Sequence, residues 1–357
     1  MNVSHLFLYR YAIPLTEPVT VRGHRITERD GLVLALKCRN GDKTAFGEIA
    51  PLPGLHRETL DMAESQLVDC FSAHALTCSG ALPAGLYPSV RTGLEIAMIN
   101  LAATASGNLP SFFGETASSD FLPLNALLFG DAASVAKKAE TLYSLGYRTF
   151  KLKVDSGNAG TAIECIRALN SRFGGDIELR LDANQSFTLE EAVAFAGNIP
   201  KESVSYIEEP LLDAAAIGEF HARTSIRSAL DETLWQHPEL LATLPKEALK
   251  ALILKPNRLG GIDTTIGIMR QAGKAGLQTV LSSAFESGIS LGMYAWLAAS
   301  ASPEPAACGL DTCRYLHHDL IEAPFGSGNS IIDARKAFIE GQKVNLHTLK
   351  LLSIWTL

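Results

Sequence analysis

One pattern constrains this chain more than any other: a short apolar run that ends in a charged residue, repeated five times. The runs are Phe150-Lys151-Leu152-Lys153-Val154, Leu179-Arg180-Leu181-Asp182-Ala183-Asn184, Val204-Ser205-Tyr206-Ile207-Glu208-Glu209-Pro210, Ala229-Leu230-Asp231-Glu232 and Leu252-Ile253-Leu254-Lys255-Pro256. From Lys153 to Asp182, Glu208, Asp231 and Lys255 the steps are 29, 26, 23 and 24 residues. A period near 25 fits one strand, one helix and two loops. Repeated, it makes an α/β fold, a (β/α)8 TIM-like barrel. Each charge then lies at the C-terminal end of a strand, where such barrels build their active sites.

Asp182, Glu208 and Asp231 would converge from three neighbouring strands. Three hard oxygen ligands with room for water suit Mg²⁺, with Mn²⁺ as the alternative ion. On a strand, Lys151 and Lys153 point the same way. Two ammonium groups ~6.6 Å apart, at an effective dielectric near 20, repel by roughly 2.5 kcal/mol. That is nearly two pKa units, enough to bring one lysine towards neutrality and make it a usable base. Lys255 would approach from the opposite side of the mouth. A ring of charges that only closes salt bridges is the plain alternative. Five charges at one structural position argue against it, because buried charge without function is costly.

The 357 residues allow one barrel and a second region. We expect residues 121–325 to form the barrel. Residues 1–120 lack its period and read as an α+β capping domain. Strands are expected over Val3–Arg10, Gly31–Lys37 and Lys43–Glu48, with a hairpin at Asn40-Gly41. Helices are expected over Glu58–His74 and Ser89–Ser106. The tail, 326–357, is expected to pack back on the capping domain. Two loops, Pro14–Asp30 and Ala50–Arg57, could fold over the barrel mouth and exclude water. Barrel strand one is expected over Leu122–Leu128 and strand eight over Ala306–Asp311.

A net charge of −7 without a basic run argues against a nucleic-acid partner. The longest apolar stretch, Ile289–Ala301, is too short for a membrane span and reads as a barrel helix. The first residues are too interrupted for a signal peptide, and the six cysteines contain no CxxC pair. A reduced, cytoplasmic protein is expected. His317-His318 reads as a polar loop. Gly326-Ser327-Gly328 lacks the third glycine and the frame of a phosphate loop.

The set Lys151-x-Lys153, Asp182-Ala183-Asn184, Glu208-Glu209-Pro210, Asp231-Glu232 and Leu254-Lys255-Pro256 resembles the enolase superfamily. Lysines on strands two and six resemble its muconate-lactonizing subgroup. No histidine lies on strand seven, which sets the mandelate racemase subgroup aside. Arg29-Asp30-Gly31-Leu32, the run Phe46 to Gly54, Ser282 to Ser287 and Gly309-Leu310-Asp311-Thr312 are similar to the o-succinylbenzoate synthase family. The resemblance implies a Mg²⁺-dependent hydro-lyase acting on a small carboxylate substrate. Asp182, Glu208 and Asp231 would hold the metal, and Lys153, Lys255 and Lys151 would be catalytic. Arg180, Ser282 and Ser283 are candidate contacts for substrate carboxylates. N-succinylamino-acid racemisation, dipeptide epimerisation and muconate cycloisomerisation are the alternatives on the same site. A non-catalytic metal-binding barrel is the alternative outside catalysis.

Overall fold

The computed structural model describes residues 3–39, 43–72, 82–114, 118–326 and 328–356. Its first sheet begins with a long hairpin. Strands β1 (Val3–Val21) and β2 (His24–Cys38) pair antiparallel and turn at Arg22-Gly23, where φ is 45° and 82°. Only residues that tolerate the left-handed region fit such a turn cheaply. Pro14–Asp30, expected as a loop, is thus mostly paired strand. Pairing shifts after Pro14 and resumes from Val19 opposite Ile26. Leu15, Val19 and Val21 share one strand face, a period of two hidden among charges. β3 (Thr44–Ile49) pairs with β2, from Leu32 opposite Ile49 to Lys37 opposite Thr44. The Asn40-Gly41 turn itself, and His74 of the first expected helix, lie outside the described residues.

Helices α1 (Leu60–Ser72) and α2 (Pro88–Ser106) cover one face of this sheet. The approach of β3 to α2 is very close. A Cβ on Gly47 would lie 1.9 Å from the Gly93 carbonyl oxygen and 2.8 Å from the Ala97 nitrogen.

The expected first barrel strand is two elements. β4 (Phe121–Pro123) turns outward and β5 (Asn125–Leu128) enters the barrel. Then strands and helices alternate. They are α3 (Ala132–Ser144), β6 (Thr149–Lys153), α4 (Ala159–Phe173), β7 (Glu178–Asp182), α5 (Leu189–Gly197), β8 (Val204–Glu208), α6 (Ile217–Thr224) and β9 (Ser228–Leu230). The short helices α7 (Thr233–Gln236) and α8 (Leu240–Thr243) follow, then β10 (Leu249–Leu254), α9 (Pro256–Leu259), α10 (Ile262–Ala275), β11 (Gln278–Leu281) and α11 (Gly288–Ala299). Starts are capped as the residues demand. Asp131 accepts from the Ser134 N–H, and Thr188 and Glu191 form a capping box.

β5 to β11 form one parallel sheet in chain order. The expected eighth strand is not regular. Residues near 308 instead make single bridges, Cys308 to Leu124 and Gly309 to Ser282, between the two outer strands. The Cys308 N–H donates to Pro123 and the Gly309 N–H to Leu281. The eighth position is therefore filled by a segment too irregular to form a ladder, and the ring still closes. α11 is buried along its whole length, so it is apolar all round.

The tail divides. β12 (Ile331–Asp333) pairs with β4, and α12 (Ala334–Glu340) packs on α11. Only β13 (Lys350–Thr356) joins the capping sheet, beside β1 in the order β13-β1-β2-β3. The tail thus meets both regions: α12 lies on the barrel helix α11, while β13 joins the capping sheet, Thr104 Oγ1 donates to Gln342 Oε1 at 3.0 Å, and Val344 and Leu349 pack beside Tyr11 and Ile13.

Gly47→Ala should lower stability by about 3 kcal/mol, since neither backbone atom it meets can move freely. A fall in the urea midpoint checks this. Gly197→Ala, with nothing within 4 Å of the new Cβ, should not lower it.

Candidate active site

Cross-strand register sets the site. Lys153 lies opposite Asp182, and Asp182 opposite Glu208, so three charges share one height at the C-terminal ends of β6, β7 and β8. Asp231 follows β9 and Lys255 follows β10. Lys153 and Lys255 are four strands apart in a ring of eight positions, so they face each other across the carboxylates.

The charges are buried and paired. Lys151 Nζ lies 2.7 Å from Asp182 Oδ2 and 2.8 Å from Glu208 Oε1, bridging the two acids. Lys153 Nζ donates to Asp182 Oδ2 at 2.6 Å and to Asn184 Oδ1 at 2.6 Å. Lys255 Nζ pairs with Asp231 Oδ2. Lys153 is the most open of the three, with 38% of its side chain exposed against 14% and 15%.

Burial alone would lower the Lys151 pKa, but Asp182, Glu208 and Asp231 outweigh it and hold the pKa well above the usual range. Repulsion between the two lysines, expected from the sequence to lower one of them, therefore does not lower Lys151, because the acids arriving across the strands outweigh it. Burial would raise Asp182, yet Lys151 and Lys153 hold it low. Burial and then Asp182 push Glu208 up to about 8, with Lys151 acting against them. Burial and Glu232 push Glu209 up to about 7. Glu209 faces away from the lysines and accepts the N–H groups of Asp231 and Thr233, both at 2.7 Å. It shapes the turn that presents Asp231.

Residues 134–337 match the family described as enolase C-terminal domain-like, and residues 3–101 match the MenC N-terminal domain. The chain belongs to the enolase superfamily. It is 30% identical over 350 residues to the o-succinylbenzoate synthase of Haemophilus influenzae, spanning 93% of this chain and 97% of that relative. It is 32% identical to that of Yersinia enterocolitica, spanning 88% and 92%. Among solved structures, the L-Ala-D/L-Glu epimerase from Bacillus subtilis shares the fold at a TM-score of 0.80 and 20% identity, over 99% of this chain and 100% of that one. The N-succinyl Arg/Lys racemase from Bacillus cereus does so at 0.80 and 18%, over 99% and 100%.

Enolase-superfamily members typically bind a divalent metal, and the donor set here suits one. Asp182, Glu208 and Asp231 offer hard oxygens. Glu208 Oε2 and Asp231 Oδ1 are buried without a hydrogen-bond partner. Such atoms are costly unless a donor or cation meets them. As the side chains stand, no group of three or more His, Cys, Asp or Glu among the described residues is arranged to hold a metal. The lysine ammonium groups compensate the acids instead.

The three candidate substrate contacts are placed differently. Arg180 is 1% exposed and sits one layer below Asp182 on β7. Its guanidinium donates to Glu178 and to the Ala307 carbonyl and lies 5.5 Å from the Tyr206 ring centroid. Ser283 Oγ is within 2.7 Å of Thr312 Oγ1 and donates to the Gly309 carbonyl. Ser282, half-buried, carries the bridge to Gly309. His317 is tied to the arm, its N–H donating to the Pro14 carbonyl.

The capping region reaches the mouth. Ile26, Leu52 and Leu55 pack with Ala284, and Val19, Val21, Trp235 and Phe285 border them. Both segments proposed as covers, the β1–β2 arm and the loop after β3, thus contact the barrel loops. Arg29 ties them together. It is 1% exposed and donates to the carbonyls of Phe285, Asp30, Ala50 and Pro51. Sequence reasoning quoted Arg29 but gave it no such role, because its partners are backbone atoms, which carry no sequence signal. Arg22, Trp235 and Glu232 were also missed as a group.

Arg29→Met should destabilise the protein by about 3 kcal/mol or more, leaving four carbonyls and nearby Glu286 without their cation. Arg10→Met, at an exposed set of ion pairs, should cost under about 1 kcal/mol. Urea titration of the two variants tests the contrast.

Proposed function

We propose that this chain is an o-succinylbenzoate synthase. It would dehydrate 2-succinyl-6-hydroxy-2,4-cyclohexadiene-1-carboxylate to 2-succinylbenzoate, a step of menaquinone biosynthesis. The observation that carries this reading is that likeness to such synthases runs through the capping region as well as the barrel. The capping region is the part that touches the mouth. Among the described residues no helix is long and apolar enough to cross a membrane, which agrees with a small-molecule substrate met in water.

Asp182, Glu208 and Asp231 would hold the metal, Mg²⁺ or in its place Mn²⁺. When bound, that ion supplies a Lewis acid for the charge that develops on the substrate carboxylate. Lys153 does the proton work. In its neutral form it removes the proton from the carbon bearing the carboxylate. It then gives that proton to the hydroxyl on the neighbouring carbon. The C–H and C–O bonds break, a ring C=C forms, and water leaves on the face from which the proton came. Aromaticity of the product drives the step. Lys255 lies over the opposite ring face, where its charge can hold the ring by a cation–π contact. Lys151 offsets the charge of the acids. Arg180 acts from beneath, and Ser282 and Ser283 border the strand-eight segment beside the substrate.

Opposed lysines also suit racemisation of N-succinylamino acids, since each can serve one enantiomer. Dipeptide epimerases usually carry paired aspartates on strand eight. Here Asp311 stands without a second aspartate and is tied to Arg314 at 2.9 Å and to the Tyr147 hydroxyl at 3.1 Å.

An ultraviolet assay of the dehydration, with and without a chelator, tests the reading. Turnover should require the divalent ion. Lys153→Ala should lower kcat by at least ~10³-fold while calorimetry finds Mg²⁺ binding nearly unchanged. Asp231→Asn should weaken Mg²⁺ binding by at least about tenfold. Deuterium entering recovered N-succinylamino acid in deuterated water, without dehydration of the cyclohexadiene, would instead assign racemisation.

A further inference from the structure

A hydrogen-bonded chain leads from the proposed base out to the tip of the capping arm. Lys153 Nζ donates to Asn184 Oδ1 at 2.6 Å. Asn184 Nδ2 donates to Glu232 Oε1 at 3.1 Å. Arg22 Nη2 reaches the same Glu232 oxygen at 3.2 Å. Arg22 stands at the turn between β1 and β2, with φ 45°, and its side chain is 39% exposed. Glu232 is its opposite, with a side chain only 3% exposed.

Each member suits its place. Lys153 offers only donors, and Glu232 offers only acceptors when ionised. Asn184 stands between them and presents one acceptor and one donor, so a single orientation of its amide satisfies both neighbours. An aspartate there would set two carboxylates together. Asn184 is held rigidly for this task. Its backbone has φ 43°, and its N–H donates to Asp182 Oδ1 at 3.1 Å. The arm end is fixed as well, with the Arg22 guanidinium 5.4 Å from the Trp235 ring centroid.

We propose that Glu232 is a positioning residue for Lys153. Through Asn184 it orients the lysine, and through Arg22 it couples that orientation to contact of the β1–β2 tip with the mouth. The base is then aligned when the arm lies over the substrate and water is excluded. This deepens the assignment of Lys153 as the base and rests on it.

The test uses the full chain with Mg²⁺ and the cyclohexadiene substrate. Arg22→Met should lower kcat about tenfold and change KM less than about twofold, because the arm acts on the aligned complex. Arg22→Lys should restore most of the loss. Glu232→Gln should lower kcat by a similar factor, and the Arg22→Met/Glu232→Gln pair should be no worse than Glu232→Gln alone. Independently of turnover, both single variants should make the Trp235 fluorescence, taken as the difference from Trp235→Phe, more open to acrylamide quenching. Multiplying losses in the double variant, or unchanged kcat in Arg22→Met, would overturn the proposal. So would a tenfold weaker Mg²⁺ affinity of Glu232→Gln by calorimetry, which would make Glu232 a metal ligand. Failure of the unmodified protein to dehydrate the substrate would sink the proposed function instead, and unchanged quenching in both variants would then sink the coupling as well.

Discussion

Carboxylates gathered in a water-poor barrel mouth must be compensated, and this requirement governs the rest of the molecule. Two like charges 4 Å apart repel by about 4 kcal/mol even at an effective dielectric of 20. The barrel answers by flanking three neighbouring acids with lysines from the strands on either side. Lys151 bridges Asp182 and Glu208, Lys153 takes Asp182, and Lys255 takes Asp231. A parallel ladder is what makes this pairing possible, since it brings the ends of successive strands to one height. Compensation is incomplete, as the unpartnered oxygens on Glu208 and Asp231 and the raised Glu208 show. Oxygens left without a donor in this way suit a divalent cation.

The same crowding strains the backbone. Four non-glycine residues with positive φ lie just past strand ends at the mouth: Asn184, Gln185, Glu209 and Phe285. Each costs of order 1 kcal/mol or more and persists only where the surroundings fix it. Here the fixing is visible. Gln185 N–H donates to the Glu209 carbonyl at 2.7 Å, and Gln185 Nε2 reaches Glu209 Oε2 at 3.2 Å. The turns after β7 and β8 therefore hold each other, and with them Asp182 and Glu208. At the opposite, N-terminal end of the strands, Ser225 ahead of β9 also has positive φ, 63°, where it ends α6 with its N–H donating to the His221 carbonyl.

Much of this was legible in the sequence, for a physical reason. A strand buried on both faces is apolar until it meets the mouth, so each charge marks a strand end and the spacing counts the units. The fold class and the ring of five charges follow from that alone. What the sequence hides is whatever depends on neighbours across strands. Two lysines in alternation suggested a lowered pKa, yet Lys151 is raised because its acids arrive from β7, β8 and β9. Arg180 carries the same inward alternation as Asp182, but one layer lower, where Glu178 engages it. The arm over Pro14–Asp30 looked like a loop because charged and polar residues dominate it and its apolar residues, Leu15, Val19, Val21 and Ile26, are spaced too widely to stand out. Strand eight fails as a ladder for lack of more than one bridge on each side, a defect no apolar run reveals.

The capping region is fastened to the barrel through different contacts at its root and at its tip. At the root, Glu48 is 2% exposed, accepts the Tyr11 hydroxyl at 2.6 Å and accepts the Ser287 N–H at 3.0 Å, ahead of α11. Arg29 adds four carbonyls from three segments. Lifting the root would strip the buried Glu48 of the Ser287 N–H and the buried Arg29 of the Phe285 carbonyl, so it moves with the barrel. At the tip the polar ties are one ion pair with a part-exposed arginine and a ring contact, beside the apolar packing of Val19, Val21 and Ile26 with Trp235, Phe285 and Ala284. Where the β1–β2 register shifts, between Pro14 and Val19, the arm meets the barrel again: Leu15 bridges Leu316, and Thr16 Oγ1 donates to the Tyr315 carbonyl at 3.3 Å. Beneath the tip, the buried Glu232 has Arg22 and Asn184 as its partners, so contact of the arm bears directly on the acid next to Asp231.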